Sequence, residues 1–294
     1  MNKKIIVLTG ATASGKTKLS IELAKAIKAD IICADSRIVY KDLDIVSAKP
    51  TEQEKENIKH HLIDIVSPEK EFSAGDFVSH SKEILSEKLK NNENIIIQGG
   101  TWFYIKSLLD EKALPECPIN HELREELTII DTNILWEKLN QLDSKRAELI
   151  HPNNKDKIIR SIEMCQMLGQ PISEYQRQNN EKYDVVWYMK DLSREVLYER
   201  INKRVDIMLD MGLFEEWKNN KEKYPNSKVI SNTIGYSEFF DFENKIYESI
   251  DIAIEKIKQH TRNFAKRQLT YFRSNTEIKL INDVNDILGD LGFV

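Results

Sequence analysis

Residues 10–17 read Gly-Ala-Thr-Ala-Ser-Gly-Lys-Thr, a complete phosphate-binding loop that starts two residues after the apolar run Ile5–Leu8. The next segment, Lys16–Lys28, has a helical pattern, so the loop sits between a strand and a helix, the context that separates a working loop from a chance match. The backbone N–H groups of Gly10, Ala11, Thr12, Ala13, Ser14 and Gly15 can turn inward around an anion, and the helix N-terminus adds its dipole. Lys16 supplies a point charge to the outer phosphate, and the Thr17 hydroxyl is placed to hold Mg²⁺. The loop specifies a di- or triphosphate. ATP is the commonest occupant, but the motif does not say whose phosphates are bound.

The surrounding pattern is one of alternation. Strands are expected at Lys4–Leu8, Asp30–Ala34, Leu62–Val66 and Asn94–Gln98, and helices at Lys16–Lys28, Ser73–Leu89 and Tyr104–Asp110. Such alternation predicts a parallel sheet covered on both faces. The character changes at Leu114-Pro-Glu-Cys-Pro118, where two prolines stop any regular element. From Ile119 to about Tyr183 the pattern is helical only, and Val185–Met189 resumes the strands. Helices are then expected at Ser193–Met211, Phe214–Lys223 and Ile246–Phe272. The fold class is therefore α/β, a P-loop NTPase-like parallel sheet core (residues 1–117 and 184–294) with an all-helical insertion domain (118–183).

In a chain of 294 residues, a net charge of −5 argues against a globally basic nucleic-acid binder but says nothing against a local basic patch. No apolar run approaches the roughly 20 residues of a membrane span. Met-Asn-Lys-Lys before the first strand is too short for a signal peptide. Cys33, Cys117 and Cys165 are odd in number and far apart, which fits a reducing cytoplasm better than a disulfide framework or a zinc site.

Several residues carry both a chemical and a plainer reading. Asp35 follows the second strand, on the sheet edge that holds the phosphate loop. It is either a general base or a helix N-cap. Gly99-Gly100-Thr101 follows the fourth strand, where the glycines allow close backbone approach and Thr101 either caps a helix or donates to a phosphate oxygen. An ATPase would place an acid at the end of this strand, and Gln98 stands there instead. His60-His61 lack a third ligand at metal spacing and read as structural. Lys157 and Arg160 share a helix face, either solvated or set on a phosphate backbone. Arg200 and Arg204 could close over a diphosphate or pair with Glu199 and Asp206. The segment from Lys256 to Arg273 contains six Lys/Arg and no acid. There Lys258, Arg262, Lys266 and Arg273 form a cationic stripe, beside a mostly apolar stripe of Ile254, Ile257, Thr261, Phe264 and Phe272. Single-sign charge of this kind points to a polyanion partner over a solvated face.

Joint order and spacing of these segments resemble the bacterial tRNA dimethylallyltransferases, also called tRNA isopentenyltransferases. The resemblance runs from Ile5 to about Arg273 through GATASGKT (10–17), DIICADSRIVYKDLDIVSAKPT (30–51), HHLIDIVSPEKEFSAGDF (60–77), GGTWFYIKSLL (99–109), IHPNNKDKIIRSIEM (150–164), RINKRVDIMLDMGLFEE (200–216), IGYSEF (234–239) and TRNFAKRQLTYFR (261–273). Ala11 stands where the family usually has Pro, Ile38 where Gln is frequent, Trp102 where smaller residues are usual, Lys157 for Arg and Tyr271 for Trp.

The resemblance implies transfer of a dimethylallyl group from dimethylallyl diphosphate to N6 of adenosine 37, beside the anticodon of certain tRNAs, with Mg²⁺ as cofactor. It implies that the loop holds a diphosphate leaving group, helped by Arg200 and Arg204, and that Thr101 lies near the bridging oxygen. Asp35 would take the amine proton. The insertion would grip the anticodon stem-loop. The tRNA-facing set would comprise Asp35, Ser36, Arg37, Ile38, Thr101, Arg124, Lys157, Ile158, Ile159 and Arg160, extended by Lys258, Arg262 and Lys266. A cytoplasmic monomer is implied as well. The rival expectations are a phosphate-loop kinase, an adenylate prenyltransferase acting on a free nucleotide, and a non-catalytic RNA-binding module.

Overall fold

A computed structural model describes residues 5–91, 93–109, 117, 119–175 and 183–293. The chain packs as two compact units, Met1–Ile105 with Tyr183–Val294, and Lys106–Lys182.

The first unit is built on a six-stranded, all-parallel sheet in the order β3-β2-β4-β1-β5-β6. The strands are β1 (Ile5–Thr9), β2 (Ala29–Cys33), β3 (His60–His61), β4 (Asn94–Gly99), β5 (Val185–Lys190) and β6 (Ile278–Ile281). β1 lies between β4 and β5, and all five of its residues are buried, as expected of a central parallel strand covered on both faces. The register puts Thr9 level with Gly99 and Met189, and Cys33 level with Gln98. The three segments that follow, starting at Gly10, Ala34 and Gly100, therefore leave the sheet side by side at its carboxyl edge. One core cluster joins Leu8, Leu19, Leu23, Ile31, Ile96 and Tyr188 beneath the helix Lys16–Ile27. Among the described residues no helix is long and apolar enough to cross a membrane.

Two sequence expectations shift here. The strand expected at Leu62–Val66 is confined to His60–His61, because Leu62 and Asp64 adopt left-handed backbone conformations (φ 65° and 57°) that a strand cannot continue through. Val66 returns only as an isolated bridge to Tyr40. The sheet also gains an unexpected edge, β6, followed by the helix Val284–Asp290. Tyr188 at the middle of β5 donates to Asp290 of that helix at 2.5 Å. The paired histidines are structural: His60 Nδ1 lies 2.8 Å from the Ile58 carbonyl, and His61 Nε2 lies 2.9 Å from Asp30.

The second unit is helical among its described residues, with helices His121–Thr128, Thr132–Leu142, Ser144–Glu148 and Lys155–Leu168. Each starts at a side-chain cap, from Asn120, Asp131, Asp143 and Asn154 in turn. Leu127, Leu135, Leu139, Ile150, Ile158 and Ile162 form its core. The unexpected element is Glu163, fully buried on the last helix. It accepts from Asn120 N–H at 2.6 Å and from both Arg124 and Arg160. Burial alone would raise its pKa; the hydrogen bonds from Arg160, Arg124 and Asn120 hold it below the ordinary value.

Candidate active site

The phosphate loop folds back on itself. Lys16 is buried at the start of its helix, and its Nζ donates to the Ala11 carbonyl at 2.6 Å. Ala11 is itself buried against Leu197, Ile201 and Ala265. Burial pushes the Lys16 ammonium down from 10.5 to about 7, opposed by the Asp35 carboxylate and reinforced slightly by Arg204. The Ser14 hydroxyl is also buried, with no hydrogen-bond partner among the described residues.

Asp35 leaves β2 beside this loop. Its Oδ1 accepts from the Arg37 N–H at 2.8 Å and the Ile38 N–H at 3.4 Å, so the carboxylate does cap the turn that follows. It also lines the cavity above the loop, so the capping and chemical readings coexist. Across from it, the Thr101 hydroxyl accepts from Ser36 N–H at 3.1 Å and retains its own proton to donate. Thr101 N–H donates to the Ala34 carbonyl at 3.2 Å. The two loops meet so tightly that a Cβ on Gly99 would lie 2.0 Å from the Ala34 oxygen, which no side chain permits.

The helix Arg194–Asp210 brings the cations. Arg200, Lys203 and Arg204 all line the cavity, at spacings that place them on one helix face. An Arg200 Nη1 lies 3.9 Å from where a Cβ on Gly15 would stand, and Arg204 donates to the Thr12 hydroxyl at 3.3 Å. Burial lowers the Arg204 pKa, and Asp35 offsets part of that. The alternative pairing with Glu199 and Asp206 is not formed: Asp206 holds Lys258 instead.

Together these groups enclose a cavity of about 340 Å³. Thr12, Ala13, Gly15, Lys16 and Thr17 of the loop line it, with Asp35, Gln98 and Gly100. Its apolar lining includes Ile38, Ile207 and Phe264. Ser47, Ala48 and Pro50 close another side. The segment carrying them is held by Glu216, whose carboxylate accepts from the N–H groups of Asp44, Ile45 and Val46 at 3.0, 2.6 and 3.0 Å.

A family model described as IPP transferase matches residues 38–275. The chain belongs to this family. It is 41% identical over 283 residues to a tRNA dimethylallyltransferase of Fusobacterium nucleatum, covering 95% of this chain and 91% of that protein. Identity to the tRNA dimethylallyltransferase of Anoxybacillus flavithermus is 37% over 290 residues, covering 98% and 93%. Among solved structures, the tRNA isopentenylpyrophosphate transferase of Bacillus halodurans superposes with a TM-score of 0.72 at 32% identity, covering 99% of this chain and 95% of that one. A eukaryotic dimethylallyltransferase acting on tRNA gives a TM-score of 0.81 at 29% identity, covering 92% and 69%.

Against the family expectation for RNA contacts, the structure sorts the residues unevenly. Asp35 and the buried Ile38 line the cavity, and Ser36, Arg37 and Thr101 adjoin them, Ser36 through its bond to Thr101 and Arg37 through its bond to Asp35. Ile158 and Ile159 are core residues of the helical unit, with buried side chains. Arg124 and Arg160 both engage the buried Glu163 carboxylate, while 31% of each arginine side chain stays exposed. Lys157 is exposed. On the C-terminal helix, Ile250–Arg273, Lys258 is likewise not a free cation: it pairs with Asp206 at 2.9 Å and Glu255 at 3.0 Å, and these partners raise its pKa, the Asp206 hydrogen bond most. Arg262 donates to Asn202 at 2.6 Å, while Lys266 stays exposed.

Two site residues escaped the sequence. Lys203 was hidden between the arginines that drew attention. Gln268 sits on the C-terminal helix yet binds the phosphate loop, and only its place on a stripe with buried Ile257, Ala265 and Phe272 could have marked it.

Proposed function

We propose that this chain transfers the dimethylallyl group of dimethylallyl diphosphate to N6 of adenosine 37 in tRNA, releasing diphosphate. One observation carries the reading: Asp35 shares a single cavity with Lys16, Arg200 and Arg204, at the mouth of a phosphate loop whose neighbouring strand carries Gln98 near its end, where an ATPase would place an acid. The cations suit a leaving diphosphate, and a lone carboxylate beside them suits an amine that must lose a proton.

In this reading the loop N–H groups, Lys16 and the two arginines bind the diphosphate and stabilise the charge that grows as the C–O bond breaks. The Ser14 hydroxyl, a buried donor unmatched among the described residues, fits a phosphate oxygen. Thr101, held from behind by Ser36 N–H, donates toward the leaving oxygen. The apolar wall of Ile38, Ile207 and Phe264 takes the five-carbon group and keeps water from it. Asp35, fixed through Oδ1, takes the N6 proton on its other oxygen as the C–N bond forms. Adenosine 37 must leave its stack to reach this cavity.

The residues present also fit Mg²⁺. Among the described residues there is no cluster of three acidic, histidine or cysteine ligands. A magnesium ion bound through the Thr17 hydroxyl and the diphosphate's own oxygens needs none. When bound, it would supply further charge neutralisation to the leaving group. A cytoplasmic monomer belongs to the same proposal and rests on the family resemblance.

The test is direct. Incubate the protein with dimethylallyl diphosphate, Mg²⁺ and unmodified tRNA carrying adenosine 37, then digest the tRNA and measure the nucleosides by mass. N6-dimethylallyladenosine at position 37 is the expected product. ATP turnover without prenylated nucleoside, or prenylation of free AMP in preference to tRNA, would sink the proposal.

A further inference from the structure

Gln268 stands on the C-terminal helix, 256 residues beyond the phosphate loop that it touches. It is 6% exposed. Its Oε1 accepts from the Thr12 N–H at 2.8 Å, and its Nε2 donates to the Gly100 carbonyl at 2.9 Å. The chemistry fixes which end is which, because an amide N–H only donates and a carbonyl only accepts. One buried carboxamide thus ties the phosphate loop after β1 to the glycine turn after β4. Those two segments are the ones that carry the diphosphate ligands and Thr101.

The contact is close on both sides. A Cβ on Gly100 would lie 2.3 Å from Gln268 Nε2, so the turn can accept this side chain only because position 100 lacks one. Thr12 is held from a second direction by Arg204, which donates to its hydroxyl at 3.3 Å. The loop's third residue is therefore clamped between two helices, one supplying Arg204 and the other Gln268. Neither bond of Gln268 needs a ligand, so the loop is set before anything binds.

We propose that Gln268 is a positioning residue for the transfer reaction. It acts through Thr12 and Gly100, fixing the phosphate loop relative to the Gly99-Gly100-Thr101 turn so that diphosphate binds a preformed cradle. This inference rests on the proposed prenyl transfer for its kinetic consequences, but the preorganisation itself is readable without turnover.

The experiment uses Gln268→Met, which keeps the length and removes both polar ends, and Gly100→Ala, which disturbs the same contact from the other side. Inorganic diphosphate with Mg²⁺ is the probe. In calorimetry both variants should bind it about tenfold more weakly, the loss expected when buried hydrogen-bonding groups are left unmatched. The double variant should be barely weaker than either single one, since both act on one contact. Amide exchange in the segment around Thr12 should speed up in each folded variant. The KM for dimethylallyl diphosphate should rise while the tRNA Kd stays within about twofold. Unchanged diphosphate affinity and exchange in either folded variant overturns the proposal. So does an equal loss of diphosphate and tRNA affinity that tracks the melting temperature, which would mark a purely structural residue. If wild-type protein binds diphosphate but transfers nothing to tRNA, the proposed function fails while the positioning role is still decided by affinity and exchange.

Discussion

At Lys16 the burial that aims the ammonium into the loop also loosens its hold on a proton. Its pKa falls to about 7 from 10.5 in the unfolded chain. Between those values the unfolded state carries a proton that the folded state has shed, so this residue's contribution makes stability rise with pH across that window. A bound diphosphate restores the charge. Diphosphate binding at pH 8.5 should therefore take up as much as about one proton at Lys16, seen as a binding enthalpy that depends on the buffer's ionisation heat, whereas at pH 5.5 Lys16 should take up none. Equal uptake in a Lys16→Met variant would assign the proton elsewhere. Asp35 offers the complementary test. Asn at this position keeps an oxygen for the Arg37 and Ile38 N–H groups but cannot take a proton. Single-turnover transfer should fall by about a hundredfold or more, while tRNA affinity moves less than twofold. Collapse of both would make Asp35 a turn residue alone. The loop and Asp35 were legible in the sequence because their chemistry depends on neighbours within a few positions. Gln268 was not, since a glutamine in a basic helix looks like one more solvated residue until its distant partners are in place.

The helices show where charge counting misleads. Read alone, the stretch from Lys256 to Arg273 is free of acids, and its cations look unpaired. In the fold, Asp206 of the facing helix and Glu255 one turn earlier take Lys258. The consequence separates two substitutions that the sequence would treat alike. Lys258→Glu sets a carboxylate against two others and should lower the melting temperature by several degrees, whatever it does to RNA. Lys266→Glu, on an exposed residue, should leave the melting temperature unchanged and reduce the salt slope of tRNA binding by about one, the value of one lost phosphate contact. A salt slope untouched by Lys266→Glu would return this face to plain solvation. Among the strands, those ending at the site were evident from apolar runs bounded by turn residues. β6 was missed because four residues with two exposed in the middle give too little pattern to distinguish an edge strand from a loop.

At the scale of the molecule, alternation of strand and helix predicted the parallel core, and the helical stretch after residue 118 predicted a different kind of packing. What sequence patterning could not supply was the balance of charge inside the helical unit, where Glu163 neutralises two arginines that looked like surface ligands. Truncating it to Ala leaves two partly buried cations side by side without that carboxylate. Glu163→Ala should destabilise that unit by about 3 kcal/mol, measured as loss of helix signal at lower denaturant, with diphosphate affinity of the sheet unit unchanged. Retained stability would mean that solvent at the exposed part of each guanidinium group suffices without the carboxylate.

The connectivity of the sheet carries one more implication, for synthesis. β1 and its phosphate loop emerge first, but β5, one of β1's two neighbours, follows only after the helical unit, and the carboxamide that fixes the loop lies later still. A growing chain can complete the helical unit, whose core is local, while the sheet it interrupts is half made. Until Gln268 has left the ribosome, the loop has its glycines, its lysine and its strand, yet lacks the clamp that joins it to the neighbouring turn. Ribosome-bound chains shorter than that should handle diphosphate poorly, which would delay the chemistry until the scaffold is whole.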